Sequence, residues 1–342
     1  MNRDNRIPII VCIDVEPDGF FIDQTKPLPW NGYEGAHRYF SELRKRIEET
    51  TGSPAHFTWC YRLDPQVAET YGSAEWPITH YSKFTEDFIK NGDEMALHPH
   101  AYRWIEKKQN WVEDLGNQEW VNHCLEMGFD AYRRLFNRTC ESFRFGAYWI
   151  STETINCAER LGAAFDLTVE PYFKMKKRFF AAELYSAPLP DYDHVPREPY
   201  RPSRADFTRP DVTRKDGIWV IPVSTGKIKY QFGRLETLKK RIFSPDEIKP
   251  RTVTLNLSRG MNGFRSVMEE LLGSLEKPYL VCVLRSDVCG EALSNPTDPV
   301  NMRQNVDYIL NHPLVKQFVF STPREAMSTM GYLNGTLAAG VS

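Results

Sequence analysis

The chain has 342 residues, of which 41% are apolar and 26% are charged, so it can bury a large core and is not a disordered or fibrous protein. Its formal net charge of −2 supplies no long-range field that would gather nucleic acid or an anionic membrane, which argues against a nucleic-acid partner. The longest apolar runs are too short for a membrane span or a signal peptide, and the seven cysteines form no C-x-x-C pair. We therefore expect a cytoplasmic protein without a membrane span.

Short apolar runs alternate with amphipathic stretches along the chain, which predicts βα units around a mostly parallel sheet. The predicted strands are 7–13, 55–60, 94–98, 142–145, 164–169, 219–223, 253–257, 279–284 and 317–320. The predicted helices are 36–50, 83–90, 118–136, 153–161, 263–275 and 302–310. Helix starts are also indicated at Ser151 and Thr322, whose hydroxyls can cap free backbone N–H groups.

Residues 174–217 interrupt this alternation. They are rich in Lys, Arg, Pro, Tyr and Asp and show neither the helical nor the strand period. A loop of this length is usually functional or mobile, and a solvated excursion is the alternative. The expected fold class is thus α/β, a distorted (β/α) barrel of about seven strands, with residues 1–342 forming a single domain that carries an irregular insertion at 174–217.

The first predicted strand ends abruptly in acidic residues. Asp14 follows an almost wholly apolar run, which is typical of a strand buried on both faces, and it therefore falls at the carboxyl edge of the sheet, where such folds build their sites. Side chains alternate along a strand, so Asp14 and Glu16 point the same way. Two converging carboxylates repel each other unless a cation or a shared proton relieves them.

Two histidines end the third predicted strand. His98 and His100 are two residues apart, so in an extended chain they face one side and can share a metal ion. A lone histidine is more often structural, but two of only eight at one strand end, with a carboxylate pair at another, favour metal binding. Imidazole and carboxylate ligands favour zinc, with cobalt, iron, manganese and nickel as alternatives.

Taken in order, four segments resemble the polysaccharide deacetylase family of carbohydrate esterases. They are CIDVE at 12–16, GDEMALHPH at 92–100, FRFGAY at 143–148 and LGAAFD at 161–166. The resemblance spans roughly residues 7–171, with a weaker similarity at 279–287, and the order of the motifs carries it. It implies a (β/α) barrel and a metal-dependent hydrolase that removes an acyl group from a sugar.

The sequence departs from the family pattern at three points. Val15 follows Asp14 where the family has a second aspartate, and the next acid is Glu16. The two histidines are two residues apart rather than four. Arg285 and Asp287 stand where the family has its late histidine, the proton donor to the leaving group.

Roles for this chain follow from the resemblance. The metal is expected on His98, His100 and one of Asp14 or Glu16, and the other carboxylate then takes a proton from water. Arg144 orients that carboxylate; an ordinary ion pair is its alternative role. Further residues are predicted to contact the substrate or its leaving group: Trp59, Arg62, Tyr148, Arg285 and Asp287.

Three functions remain open at this point. The first is a deacetylase that acts on a carbohydrate or sugar precursor during cytoplasmic assembly of a surface polysaccharide. The second is a catalytically silent carbohydrate-binding protein on the same barrel. The third is an amide hydrolase similar to allantoinases.

Overall fold

The computed structural model describes residues 6–19, 27–174, 186–187, 190–229, 249–290 and 297–333. Its strands are β1 (Ile7–Val15), β2 (Thr58–Tyr61), β3 (Glu94–Leu97), β4 (Tyr102–Ile105), β5 (Asn110–Glu113), β6 (Ser142–Phe143), β7 (Phe165–Asp166), β8 (Trp219–Val220), β9 (Thr225–Ile228), β10 (Arg251–Thr254), β11 (Leu280–Arg285) and β12 (Phe318–Phe320). Its α-helices are α1 (Asn31–Thr51), α2 (Pro65–Tyr71), α3 (Trp76–His80), α4 (Ser82–Lys90), α5 (Gln118–Phe136), α6 (Thr152–Leu161), α7 (Met261–Ser274), α8 (Asp298–Leu310) and α9 (Pro323–Thr329).

Seven strands form one continuous parallel sheet in the order β11-β1-β2-β3-β6-β7-β8. The strand β12 also runs parallel to β1 and pairs with its first residues, Ile7 to Ile9. Every residue of β1 is buried, because this strand lies between β2 on one side and β11 and β12 on the other, with apolar layers on both faces. The predicted distorted (β/α) barrel of about seven strands is confirmed.

Alternation along the strands separates two hydrophobic clusters. Ile10 and Cys12 belong to a smaller cluster on the inner face of the sheet, whereas Ile9 and Val11 pack in the larger cluster that the surrounding helices share. The inner cluster also contains Met327 of α9, which covers it from the amino-terminal side of the strands. Asp14 continues the inward series of β1 and so points into the barrel.

Two predicted helix starts are confirmed by their caps. The Ser151 hydroxyl accepts a hydrogen bond from the Thr154 backbone N–H at the start of α6. Thr322 and Glu325 form a reciprocal capping box at the start of α9. The helix α5 has the bounds that its amphipathic pattern predicted, 118–136.

The predicted strand 253–257 is partly wrong. The strand β10 pairs antiparallel with β9 in a separate two-stranded sheet, and only Asn256 bridges to Val283 of the barrel. The Asn256 side chain accepts the Ser258 backbone N–H, a local bond that competes with a regular ladder. This segment fills the seam of the barrel between β11 and the residues after β8, since the Leu255 N–H donates to the Ser224 carbonyl.

An antiparallel hairpin that the sequence did not predict follows the two histidines. The strands β4 and β5 form it, with Tyr102 opposite Glu113. Of the predicted insertion, the described residues 190–217 contain no helix or extended strand, and they contact α6 through ion pairs of Arg204 and Arg214 with Glu159. The single-domain assignment stays a prediction. In the described part of the chain, no helix has the length and apolar character needed to cross a membrane.

Candidate active site

The carboxyl ends of the barrel strands bring the predicted site residues together. Asp14 lies near the end of β1, in register with Arg285 of β11. His98 directly follows β3, and Arg144 directly follows β6. Because neighbouring parallel strands end at the same edge of the sheet, these side chains meet above the inner cluster although the chain separates them by up to 271 positions.

Glu16, His98 and His100 form a compact triangle of potential metal ligands. Glu16 Oε1 lies 2.9 Å from His98 Nε2 and 3.4 Å from His100 Nε2, and the two Nε2 atoms are 3.2 Å apart. Zinc bonds of about 2.0–2.1 Å at tetrahedral angles separate neighbouring ligand atoms by about 3.3 Å. The two distances to His100 Nε2 agree with this value, and the distance between Glu16 and His98 is shorter. All three side chains are buried.

The ring of His98 is oriented by the backbone. Its Nδ1 lies 2.7 Å from the carbonyl oxygen of Arg144, and because a carbonyl oxygen only accepts hydrogen bonds, Nδ1 carries the proton. In its neutral form the ring presents a lone pair at Nε2, toward Glu16 and His100. This is the tautomer that a metal ligand needs.

The ring of His100 is oriented by a carboxylate. Its Nδ1 lies 2.8 Å from Glu113 Oε1, and its face stacks on Tyr102 with ring centres 5.2 Å apart. Burial lowers the pKa of His100, but the Glu113 carboxylate outweighs it and raises this pKa to about 9. A metal would displace the Nε2 proton, since only the neutral nitrogen is a ligand.

Glu16 is held from the opposite side by Arg285. Arg285 Nη2 lies 2.8 Å from Glu16 Oε2, so Oε1 remains directed at the histidines. Burial raises the pKa of Glu16, but Arg285 and the hydrogen bond from His100 hold it well below its usual value. Glu16 is therefore ionised at neutral pH.

Asp14 lies outside the ligand triangle and pairs with Arg144. Arg144 Nε donates to Asp14 Oδ2 at 3.3 Å, Nη1 donates to the Leu167 carbonyl at 2.9 Å, and Nη2 donates to Glu170 Oε1 at 3.4 Å. Asp14 Oδ1 accepts no hydrogen bond from the described residues. His98 Nδ1 lies 3.8 Å from Asp14 Oδ1 and is the ring nitrogen that faces away from the triangle. Of the two carboxylates that the sequence left open, Glu16 is thus the one whose oxygen lies close to both Nε2 atoms.

The predicted substrate contact of Trp59 is wrong, whereas that of Arg62 stays a prediction although Arg62 is buried. Trp59 has no exposed surface: its ring stacks on Phe88 at 3.9 Å and its Nε1–H donates to Asp93. Arg62 is 2% exposed, and its guanidinium is held by two hydrogen bonds to Asp64. The direction of Trp59 was mispredicted because both faces of β2 are buried, so its pattern does not reveal which face points into the barrel.

Tyr148, Arg285 and Asp287 lie at the rim of the site. Each is partly exposed, and the Tyr148 ring lies 5.8 Å from the Arg144 guanidinium. Asp287 accepts two hydrogen bonds from Arg285, at 3.2 and 3.0 Å. Asp287 is thereby an anchor for Arg285, and its role in catalysis stays a prediction.

Glu113 and Glu170 belong to the site but were not predicted. The segments 102–105 and 110–113 are rich in aromatic and β-branched residues around a charged tip, which is a hairpin pattern and would have placed Glu113 near His100. Glu170 directly follows the predicted strand 164–169, the same signal that identified Asp14.

No protein-family model and no curated protein sequence matches this chain. Among solved structures, a putative glycoside hydrolase/deacetylase from Parabacteroides distasonis is 12% identical over 93% of this chain and 69% of its own, with a TM-score of 0.52. A putative polysaccharide deacetylase from Mycobacterium smegmatis is 9% identical over 99% and 96%, with a TM-score of 0.48. A family 4 acetyl xylan esterase from Clostridium thermocellum, solved with a cobalt ion, is 8% identical over 95% and 92%, with a TM-score of 0.39. The similarity to the Parabacteroides protein shows that this chain has the barrel that its sequence motifs implied.

Proposed function

We propose that this chain is a metal-dependent hydrolase of the polysaccharide deacetylase type, which removes an acyl group from a sugar or glycan precursor. One observation carries the proposal. Glu16, His98 and His100 direct three acceptor atoms at one point within 3.4 Å of one another, while both histidines use Nδ1–H elsewhere. Three lone pairs at that spacing repel each other unless a cation or an added proton joins them.

Glu16, His98 and His100 would hold a divalent metal and leave a fourth position open, the arrangement of catalytic zinc sites. When bound, such an ion polarises an acyl carbonyl and lowers the pKa of water. Their nitrogen and oxygen atoms suit zinc best, with cobalt, iron, manganese and nickel as alternatives.

Asp14 acts as the base in this proposal. Its Oδ1, which accepts no hydrogen bond from the described residues, takes a proton from water as the hydroxyl oxygen adds to the acyl carbon. Asp14 then returns that proton to the nitrogen or oxygen that leaves when the C–N or C–O bond breaks. Arg144 holds the carboxylate in position through Oδ2. Arg285 stays protonated at all working pH values, so it stabilises negative charge and leaves proton transfer to Asp14.

The proposed substrate class is carbohydrate, since the partly exposed Tyr148 offers an aromatic face with a polar tip at the rim, which suits a sugar ring. A cytoplasmic step in surface polysaccharide assembly is part of the proposal and rests on the sequence composition alone.

Metal content and acyl release test this proposal together. Purified full-length protein is expected to bind about one zinc or cobalt ion, and Glu16→Gln and His98→Ala to lose it, because catalytic sites depend on all three ligands. His123→Ala, at an exposed position of α5, is the matched control and retains the metal. Asp14→Asn is expected to keep the metal but to lower release of acetate from acetylated amino sugars by about 10²- to 10⁴-fold.

Wild-type protein that binds no divalent metal would overturn the proposal and favour the silent carbohydrate-binding protein. Metal-loaded protein that hydrolyses small cyclic amides but no acetylated sugar would instead favour the allantoinase-like function.

A further inference from the structure

The two histidines of the ligand triangle are supported by different chemistry. The Nδ1–H of His98 donates to a neutral acceptor, the Arg144 carbonyl, at 2.7 Å. The Nδ1–H of His100 donates to a carboxylate, Glu113 Oε1, at 2.8 Å. A hydrogen bond to a charged acceptor is roughly twice as strong as one to a neutral acceptor. The two imidazoles are thus not equivalent as donors to a shared cation.

The β4–β5 hairpin brings Glu113 to this position. The hairpin begins two residues after His100 and folds back so that Glu113 lies opposite Tyr102, whose ring stacks on the His100 imidazole. The Asp64 carboxylate also accepts the His100 backbone N–H at 3.3 Å. Three separate chain segments therefore hold His100 in one orientation.

Glu113 has no exposed surface, and the bond to His100 is the only side-chain hydrogen bond that it forms with the described residues; its Oε2 accepts none. A buried carboxylate is unfavourable unless it is paired with positive charge or hydrogen-bond donors. Secondary structure does not require this carboxylate, since β5 pairs with β4 through backbone atoms. Its contact with His100 is what compensates for its burial.

We infer that Glu113 is a positioning residue of the metal site, which fixes the Nδ1–H tautomer of His100 and increases electron density at the Nε2 atom that binds the ion. The inference rests on the proposed function, because it assigns Glu113 to the same metal centre. Carboxylate–histidine–metal arrangements of this kind usually change metal affinity by 10- to 100-fold when the carboxylate is removed. The negative charge of Glu113 distinguishes its role from simple space filling.

Two substitutions separate orientation from charge. Glu113→Gln keeps the volume and an oxygen that accepts the Nδ1–H but removes the charge, whereas Glu113→Leu removes both. The control is Asp114→Asn, because Asp114 lies on the same hairpin and pairs at the surface with Arg103. Zinc affinity of the full-length chain, measured by competition with a chromogenic chelator, is expected to fall by about 10-fold in Glu113→Gln and by up to about 100-fold in Glu113→Leu.

A spectroscopic readout reports on the same contact independently of activity. The zinc-loaded wild-type protein is expected to show a downfield imidazole N–H proton resonance from His100, which shifts upfield in Glu113→Gln, disappears in Glu113→Leu and is unchanged in Asp114→Asn. The inference would be overturned if the wild type binds zinc and both Glu113 variants bind it with affinities within about twofold of the wild-type value. That outcome would leave the proposed function intact. Failure of the wild type itself to bind zinc would overturn both.

Discussion

Replacing Arg144 by methionine tests how the buried charges of the site are balanced. The guanidinium is 3% exposed and is the cation between two buried carboxylates, Asp14 and Glu170. Methionine retains much of the side-chain volume but leaves these two carboxylates facing each other without a counter-charge. Removing one partner of a buried ion pair lowers the free energy of unfolding by about 3–5 kcal/mol, and two stranded carboxylates place Arg144→Met at the upper end. That loss is a large fraction of the roughly 5–15 kcal/mol that stabilises a typical protein.

The loss should depend on pH in a defined direction. Burial raises the pKa of Glu170, and Arg144 opposes that rise, so the pKa rises further in the variant. A carboxyl whose pKa is higher in the folded chain than in the unfolded chain binds more protons when folded, and the free energy of unfolding then falls as pH rises between the two values. The loss of unfolding free energy in Arg144→Met is therefore largest above the pKa that Glu170 has in the folded chain. The loss becomes smaller as the pH falls toward the unfolded pKa of about 4.3, by at most about 1.4 kcal/mol per pH unit.

Urea unfolding followed by tryptophan fluorescence, at about pH 8 and about pH 5.5, measures both effects. The control is Arg133→Met, since Arg133 forms an exposed ion pair with Asp130 within α5 and should cost less than about 1 kcal/mol at either pH. A deficit for Arg144→Met as small as that of the control, or one that grows as pH falls, would refute the reasoning.

Two further substitutions probe the support of the site and of the barrel. Gly146→Ala should weaken zinc binding and destabilise the fold by about 1–3 kcal/mol, because an added Cβ would lie 2.2 Å from His100 Cε1. The control is Gly273→Ala, which has open space around it and should leave the zinc titration unchanged. Equal zinc titrations for the two variants would contradict the steric argument. Thr322→Ala should lower the free energy of unfolding by about 1 kcal/mol, because it removes the capping box with Glu325. Urea denaturation measures this change, and an unchanged unfolding midpoint would count against a stabilising role of the cap.

Much of the barrel could be predicted because its signals are local. The helix α5 has a clear apolar stripe between a capping Asn117 and a left-handed Asn137, and both ends follow from short-range chemistry. The strand β1 was recognisable because burial on both faces leaves a continuous apolar run. Asp14 and His98 were identified for the same reason, since each follows such a run directly.

What could not be predicted depends on contacts between distant segments. The choice between inward and outward faces of β2 depends on its register with β1, in which Asp14 lies opposite Cys60, and the local sequence does not contain that register. Trp59 was therefore predicted to point into the site, whereas in the structure it points away from it. Likewise, Glu170 meets Arg144 only because β6 and β7 are neighbours in the sheet.

The closeness of Asp14 and Glu16 posed the main physical question of the sequence, because two carboxylates on one side of a strand repel each other. In the structure, each carboxylate pairs with a different arginine: Asp14 with Arg144, and Glu16 with Arg285. Arg285 contacts Oε2 of Glu16, so Oε1 faces the histidines. Arg144 Nε lies 3.3 Å from both oxygens of Asp14 and donates to Oδ2, and Oδ1 accepts no hydrogen bond from the described residues. In the proposed mechanism, the carboxylate nearer the two Nε2 atoms would bind the cation, and the other would accept a proton. Because one residue separates the two acids, their side chains point the same way but lie at different positions along the strand direction.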